Sequence, residues 1–269
     1  MELNKTNILI GTNTFLKNSR QDLCIESLKK LRKKNNNVDI CLVQHIDDNV
    51  CYYDIEVVKE LSRDSSQFVK TNKKLPLVND IFDVLSERCR DYFVFCNSDI
   101  ILSQQLIDKI TNAKTPFEAF GISRIDIPNI NSLSESFIPI RMEPAGFDCW
   151  VVSKKWWKNN RHLFKDYFLG RPFFDVHYTM LMLLHTYSDI HVSNERLIYH
   201  IKHPSPAFQR DECYLFNETQ TNKYYIDQEA IWGSISNNTF LKRQDYGKFL
   251  DFNPKEVDFI KQIKTAHQK

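Results

Sequence analysis

Residues 91–102, DYFVFCNSDIIL, decide how the rest of the chain is arranged. An apolar run, YFVFC, precedes a polar corner of Asn97, Ser98 and Asp99, and a second apolar run follows it. An aromatic and β-branched run of this length, without Gly or Pro, is typical of a strand that is buried on both faces of a parallel sheet. Open α/β sheets bind ligands at the carboxyl ends of such strands. We therefore expect Asp99 at the mouth of a ligand-binding crevice.

The polar corner itself has two interpretations. A carboxylate held rigidly at the end of a strand suits a hard divalent cation that carries phosphate oxygens. The same three residues could equally turn the chain and cap a helix that begins near Ser103. The corner alone leaves both interpretations open.

Composition excludes several classes of protein. The length of 269 residues predicts one large domain with an appendage. The net charge of +2 is too small to indicate a protein that binds nucleic acid through a basic surface. The apolar runs are strand-sized, so we predict neither a signal peptide nor a membrane span. The seven cysteines form no CxxC pair, and several lie in apolar runs, which predicts reduced, buried thiols in a cytoplasmic protein. Only six glycines occur, and neither GxGxxG nor a Walker motif is present.

Strand and helix patterns alternate along the first half of the chain. Besides the strand at 91–96, apolar runs predict strands at residues 7–11 and 38–43, and helical periodicity predicts helices at 20–34, 54–61 and 73–90, with a short extended piece at 67–70. Repeated strand–helix units at this spacing predict an α/β fold, with a mainly parallel Rossmann-type sheet and helices on both faces.

The second half is less regular. We predict helices at 103–112, 154–164 and 174–184, strands at 117–122, 146–152, 190–192 and 197–201, an irregular segment at 126–144, and a polar, aromatic and mainly helical region after about residue 207, clearest at 252–263. We therefore expect a catalytic domain at residues 1–207 and a C-terminal helical extension at residues 208–269.

The order of these parts resembles the GT-A fold of nucleotide-sugar-dependent glycosyltransferases, of the family 2 type, over about residues 7–203. The matching segments are NILIGTN, VDICLVQHIDD, the helix KLPLVNDIFDVLSE, the strand that ends in NSD at the DxD position, AGFDCWVVSKKWW, FFDVHYTML and YHIKHP. Asn97 stands at the first position of the DxD motif, so a metal would depend on Asp99 and on other ligands.

The resemblance implies a role for each motif. It implies nucleotide-sugar contacts from Thr12, Asn13, His45, Asp47, Lys74, Asn79, Asn97, Ser98 and Asp99, and an acceptor side formed by Gly146, Phe147, Asp148 and Trp150. Asp99 with His203 and His200 would hold Mn²⁺ or Mg²⁺, and the nitrogen ligands suit Mn²⁺ better. Asp175 would be the catalytic base, and we expect the dipole of its helix to favour the ionised form. Lys73 or Lys74 could contact phosphate.

The predicted function is transfer of a sugar from a nucleoside-diphosphate sugar to a hydroxyl of a glycan or lipid-linked glycan acceptor, in surface polysaccharide biosynthesis. A carboxylate base permits direct displacement, so we expect inversion at the anomeric carbon. Two other functions stay open: a metal-dependent hydrolase that uses the His-rich half (His177, His185, His191, His200, His203), and a non-catalytic protein of the same fold that binds a glycan or a partner.

Individual residues also have structural interpretations. Asp175 could be a helix N-cap, and Asp47 could simply end a strand. Trp150, Trp156 and Trp157 could be core residues, as could His177 and His185. The basic run at residues 29–34 is typical of a solvated helix end, though it could contact anionic lipid weakly.

Overall fold

A computed structural model describes residues 6–14, 18–113, 117–129, 147–186, 197–203 and 209–222. Its strands are β1 (Ile8–Asn13), β2 (Val38–His45), β3 (Glu56–Leu61), β4 (Tyr92–Cys96), β5 (Ile100–Leu102), β6 (Ala119–Ser123), β7 (Ile125–Ile127), β8 (Phe147–Ser153) and β9 (Ile198–Ile201). Its helices are α1 (Ser19–Lys34), α2 (Val78–Arg88), α3 (Gln104–Thr111), α4 (Lys154–Asn160), α5 (Phe174–His185) and α6 (Glu212–Asn222).

Two sheets organise these elements. The large sheet has the order β3-β2-β1-β4-β8-β6, and the small sheet has the order β5-β9-β7. In the large sheet β1 to β4 are parallel, and β8 runs antiparallel to both β4 and β6. The predicted fold class, a mainly parallel α/β sheet, is therefore confirmed.

Strand β4 lies at the centre of the large sheet, as its sequence predicts. All five of its residues are buried, because β1 flanks it on one side and β8 on the other. Phe93 and Phe95 pack edge-on against Phe82 of α2, and Trp150 of β8 stacks on Phe95. The carboxyl ends of β1, β2 and β4 consequently meet at one edge of the sheet.

The helices cover both faces of the sheet. The crossover through α1 leads from β1 to β2, and the crossover through α2 leads back from β3 to β4, so right-handed connections place α1 and α2 on opposite faces. Helix α2 approaches β1 so closely that a Cβ at Gly11 would overlap the Leu85 side chain. Helix α5 packs on β6 and β8.

Three local predictions were wrong. Residues 56–61, predicted within a helix, form edge strand β3, because Val57 and Val58 pair with β2 and the spacing of the buried Val58 and Leu61 only resembles a helical period. The extended piece predicted at 67–70 is replaced by a 3₁₀ turn at Ser65–Gln67, which the Asp64 carboxylate caps. Residues 125–127, at the start of the segment predicted to be irregular, form β7.

Other predictions lie partly outside the described residues. The strand at 190–192, the helix at 252–263, Gly146, His191 and residues 130–144 are among them. All seven cysteines are free thiols, and six are buried as predicted. In the described part of the chain, no helix has the length and apolar character needed to span a membrane.

Candidate metal and active site

The small sheet gathers the residues of a candidate metal site. Asp99 immediately precedes β5, and Ile100 of β5 pairs with His200 of β9. On the other side of β9, His200 pairs with Asp126 of β7. Because β5 directly follows the corner after β4, this register brings His200 and Asp126 to the carboxyl edge of the large sheet.

Asp99, His200 and His203 form a compact cluster. The Asp99 Oδ2 lies 3.3 Å from His203 Nε2 and 3.5 Å from His200 Nε2, and the three ligand atoms lie within 4.8 Å of one another. Burial alone would raise the pKa of Asp99, but hydrogen bonds and charge from His200, with His203 and Arg124, outweigh it and lower the pKa to about 2. Asp99 is therefore a carboxylate at neutral pH.

Asp126 orients His200. The His200 Nδ1 lies 2.7 Å from Asp126 Oδ1, so the other ring nitrogen faces Asp99. Burial would lower the pKa of His200, but the contacts with Asp126 and Asp99 outweigh it and raise the pKa. A carboxylate behind a ligating histidine is the usual second layer of a metal site. Sequence reasoning missed Asp126, which is 74 residues away from His200, because only the strand register reveals the pair.

The cluster fits a divalent metal. Ligand atoms bonded at about 2.1 Å to one ion lie about 3 to 3.5 Å apart, which matches the distances from Asp99 Oδ2 to the two histidine nitrogens. Two imidazoles and one carboxylate suit borderline ions such as Mn²⁺ or Zn²⁺ better than Mg²⁺, which prefers oxygen ligands. Among the described residues, His177 and His185 do not belong to this group. His177 is buried against the ring of Tyr167.

A second polar layer connects the metal cluster to β8. The Asn97 Nδ2 donates to Asp148 Oδ1 at 2.5 Å, so the residue at the first DxD position contacts a carboxylate of the neighbouring strand. Arg124 donates to Asp148 Oδ2 at 2.8 Å and to Asp126 Oδ1 at 3.1 Å. The Arg124 guanidinium thus bridges the carboxylate behind His200 and the carboxylate beside Asn97.

Asp175 lies in the first turn of α5, next to the start of β8. Burial, followed by the negative charge of Asp148, raises the pKa of Asp175 to about 6, although backbone N–H groups of Val176, Asp175 and Phe147 act in the opposite direction. The N–H groups at the start of α5 favour the ionised form, which is the direction expected of the helix dipole, but burial has the larger effect on the pKa of Asp175. Asp175 is not the N-cap, a position that Phe173 occupies. Asp148 accepts from Asn97, two residues before Asp99, and the Asp175 carboxylate accepts from Phe147 N beside Asp148, so all three carboxyl groups lie at one edge of the sheet.

The ends of β1 and β2 contribute buried polar groups to the same edge. Asn13 donates through Nδ2 to Val43 O at 2.7 Å, and His45 Nδ1 lies 3.3 Å from Leu61 O. Within the described ranges, Thr12 Oγ1, Asn13 Oδ1 and His45 Nε2 have no hydrogen-bond partner. Buried polar atoms normally have partners, so these atoms are candidates for ligand contacts.

The two lysines proposed for phosphate contacts lie in different surroundings. Lys74 pairs with Asp47 at 3.2 Å, and their side chains are 61% and 78% exposed. Such an exposed pair is weak, so both groups remain accessible to a ligand. Lys73 instead pairs with Asp211 at 2.6 Å, which removes it from the candidates.

Two predicted site residues lie in the core. Asn79 is buried and donates to Phe164 O and Asp166 Oδ1, while its Oδ1 accepts from the Tyr178 hydroxyl. Trp150 is fully buried, and its Nε1 donates to Thr179 Oγ1. Their assignments to the nucleotide and acceptor sides are corrected accordingly, because their polar atoms are already paired within the core. Ser98 is half-buried at the corner, and Phe147 is buried.

When the chain is compared with known proteins, it is similar to solved structures but not to any family profile or curated sequence. No protein-family profile and no curated protein sequence match the chain. Among solved structures, S. aureus TarS (residues 1–349, in complex with UDP-GlcNAc) is 13% identical, with a TM-score of 0.46 over 76% of this chain and 61% of that one. The glycosyltransferase GlyE of Streptococcus pneumoniae TIGR4 is 12% identical, with a TM-score of 0.37 over 86% of this chain and 63% of that one. The chain thus spans less than two thirds of either protein.

Proposed function

We propose that this chain is a metal-dependent glycosyltransferase, which moves a sugar from a nucleoside-diphosphate sugar to a hydroxyl of a glycan acceptor. The observation that carries the proposal is the position of the Asp99, His200 and His203 cluster at the carboxyl edge of the sheet, with Asp175 at the same edge. The order of the sequence motifs supports this reaction class over a hydrolase.

The donor half of the site is built around the cluster. Asp99, His200 and His203 would hold a divalent ion, and Asp126 would keep His200 in the ligating tautomer. When bound, such an ion supplies Lewis acidity that offsets the charge of the departing diphosphate. Thr12, Asn13 and His45 would contact the nucleotide, and Lys74 would add a positive charge near the phosphates.

Asp175 would act as the base of a direct displacement. As the acceptor oxygen forms its bond to the anomeric carbon, the bond from that carbon to the diphosphate breaks, and the hydroxyl proton passes to the Asp175 carboxylate. A carboxyl group with a pKa of about 6 is mostly ionised at neutral pH and is a stronger base than an ordinary aspartate. A single displacement of this kind inverts the anomeric configuration. Phe147 and Asp148 are buried beside Asp175 and would support the acceptor side of the site from behind.

The wider setting belongs to the same proposal. We assign the reaction to surface polysaccharide assembly in the cytoplasm, with residues 1–207 as the catalytic domain. The acceptor would be a glycan or a lipid-linked glycan.

A thermal-shift and turnover screen tests this function. The panel starts with UDP-GlcNAc, the nucleotide sugar present in the TarS structure, and each donor is measured with and without Mn²⁺. We expect a Mn²⁺-dependent rise in Tm for at least one donor, which Asp99→Ala abolishes. Asp175→Ala should keep this binding and lose transfer. Stoichiometric zinc with hydrolysis of substrates that are not nucleotide sugars would favour the hydrolase, and binding without turnover would favour a non-catalytic role.

A further inference from the structure

The segment that leads into α5 has an unusual backbone. Gly170 has φ +78°, and Phe173, which caps α5 two residues before Asp175, has φ 87°. Residues other than glycine rarely adopt a positive φ, so the surrounding structure must hold the backbone of Phe173 in this conformation. The direction in which α5 begins, and hence the position of Asp175, depends on these contacts.

Asn217 of α6 binds this segment through its side chain. It is fully buried, and its Oδ1 accepts from Phe168 N at 2.9 Å. Its Nδ2 donates to Phe168 O at 3.1 Å, Pro172 O at 3.0 Å and Arg171 O at 3.4 Å. One side-chain amide therefore provides hydrogen bonds to the backbone N–H and C=O groups of a segment that has no regular secondary structure.

Asp211, just before α6, binds the same segment by charge. Its carboxylate accepts from Arg171 Nη2 at 2.6 Å and Nε at 3.1 Å, and Lys73 Nζ lies 2.6 Å away. The Arg171 side chain is 7% exposed, so this two-point contact is well shielded from water. Asp211 also accepts from Tyr214 N at 2.9 Å, which caps α6.

Aromatic packing completes the contact between α6 and the segment. The Tyr214 ring meets Phe173 edge-on at 5.0 Å between centroids, and Phe216 stacks on Phe168 at 4.4 Å. Four residues of the segment contact α6 or Asp211, which precedes it: residues 168, 171, 172 and 173. The segment leads directly to Asp175, which lies two residues further along the chain.

We propose that α6 positions the catalytic base: Asn217 and Asp211 hold residues 168–173 in the strained path that directs Asp175 toward the acceptor. The role of Asp175 rests on the proposed function, whereas its position does not. The predicted division between residues 207 and 208 assigns α6 to the C-terminal extension, whereas this inference makes α6 part of the catalytic domain.

Asp211→Asn tests this inference, because it keeps the size of the side chain and an oxygen for the cap but removes the charge that Arg171 and Lys73 bind. We expect kcat to fall about tenfold or more, since small displacements of a reacting group are costly, while donor KM and Mn²⁺ affinity stay unchanged. Arg171→Lys keeps a cation at Asp211 and should give an intermediate kcat. Glu218→Gln, which breaks the exposed ion pair with Arg210 on the same helix, is the matched control and should leave kcat unchanged.

A second readout needs no substrate. Carboxylate titration by ¹³C NMR reports the surroundings of Asp175, and we expect its midpoint near pH 6 to move in Asp211→Asn and in Asn217→Ser but not in Glu218→Gln. A general loss of stability would not move this midpoint in folded protein. An unchanged midpoint in both variants would overturn the inference. If no donor is turned over by the unaltered chain, the proposed function fails and the titration still decides whether α6 positions Asp175.

Discussion

At the scale of single residues, the site depends on charges that lie behind the groups that would contact substrate. Asp126 faces His200, and Arg124 joins Asp126 to Asp148. Of these second-layer residues, the sequence resemblance indicated only Asp148, since family motifs mark the groups that contact ligands. Asp126 and Arg124 gain their roles from the register of short strands that are far apart in the chain.

Removal of the Asp126 carboxylate should weaken metal binding. We expect Asp126→Ala to lower Mn²⁺ affinity about 10- to 100-fold, because His200 loses the partner that fixes its tautomer. Isothermal titration of the whole chain with Mn²⁺ measures this effect, and Asp126→Asn, which keeps an oxygen near Nδ1, should be intermediate. Asp108→Ala removes an exposed carboxylate from α3 and is the control. Equal affinity in Asp126→Ala and the unaltered chain would contradict the assignment.

The pH dependence of transfer should follow Asp175. The base must be ionised, so kcat should fall as the pH drops through about 6, the pKa of Asp175. The negative charge of Asp148 raises this pKa, so Asp148→Asn should move the acidic limb of the profile to lower pH. Asp91→Asn, at the far end of β4, should leave the limb in place. A limb that stays fixed or moves upward in Asp148→Asn would show that another group controls it.

At the scale of elements, strands with a continuous apolar run were predictable, whereas β3 and β7 were not. β4 and α5 have strong patterns, and burial in the structure follows those patterns. β3 is an edge strand whose two buried side chains stand three residues apart, so tertiary pairing decides its conformation. β7 has only three residues in a polar context, and its partner β9 lies more than 70 residues further along the chain.

Helix α5 packs closely on β6 at Gly121, where the strand has no side chain. A Cβ at Gly121 would overlap Thr179 Oγ1, which accepts from the Trp150 indole. We expect Gly121→Ala to lower the free energy of unfolding by about 1–3 kcal/mol through overpacking, measured by urea denaturation. The double variant Gly121→Ala, Thr179→Ala should recover part of this loss, because the second change makes room for the added methyl group. Full stability of Gly121→Ala would mean that α5 does not sit this closely on β6.

At the scale of the whole molecule, the order of motifs predicted the architecture better than it predicted the site. The carboxyl ends of β1, β2 and β4 lie where the alternation of strands and helices places them. Asp99 and the two histidines lie together, but Asn79 and Trp150, implied by the same resemblance, belong to the core. Sequence order identifies which segments approach the crevice, whereas side-chain direction within a segment depends on packing.

The proposed reaction requires a metal ion bound at Asp99 next to the diphosphate of the donor. It also requires the Asp175 carboxylate to lie close to the anomeric carbon of that donor. The most direct test is a crystal structure of the chain with Mn²⁺ and a nucleoside-diphosphate sugar, with anomalous scattering collected to locate the metal. We predict an anomalous peak bonded to Asp99, His200 and His203 that contacts the diphosphate, with the Asp175 carboxylate on the opposite side of the anomeric carbon. A metal bound elsewhere, or a nucleotide bound away from Asp99 and Asp175, would contradict the account.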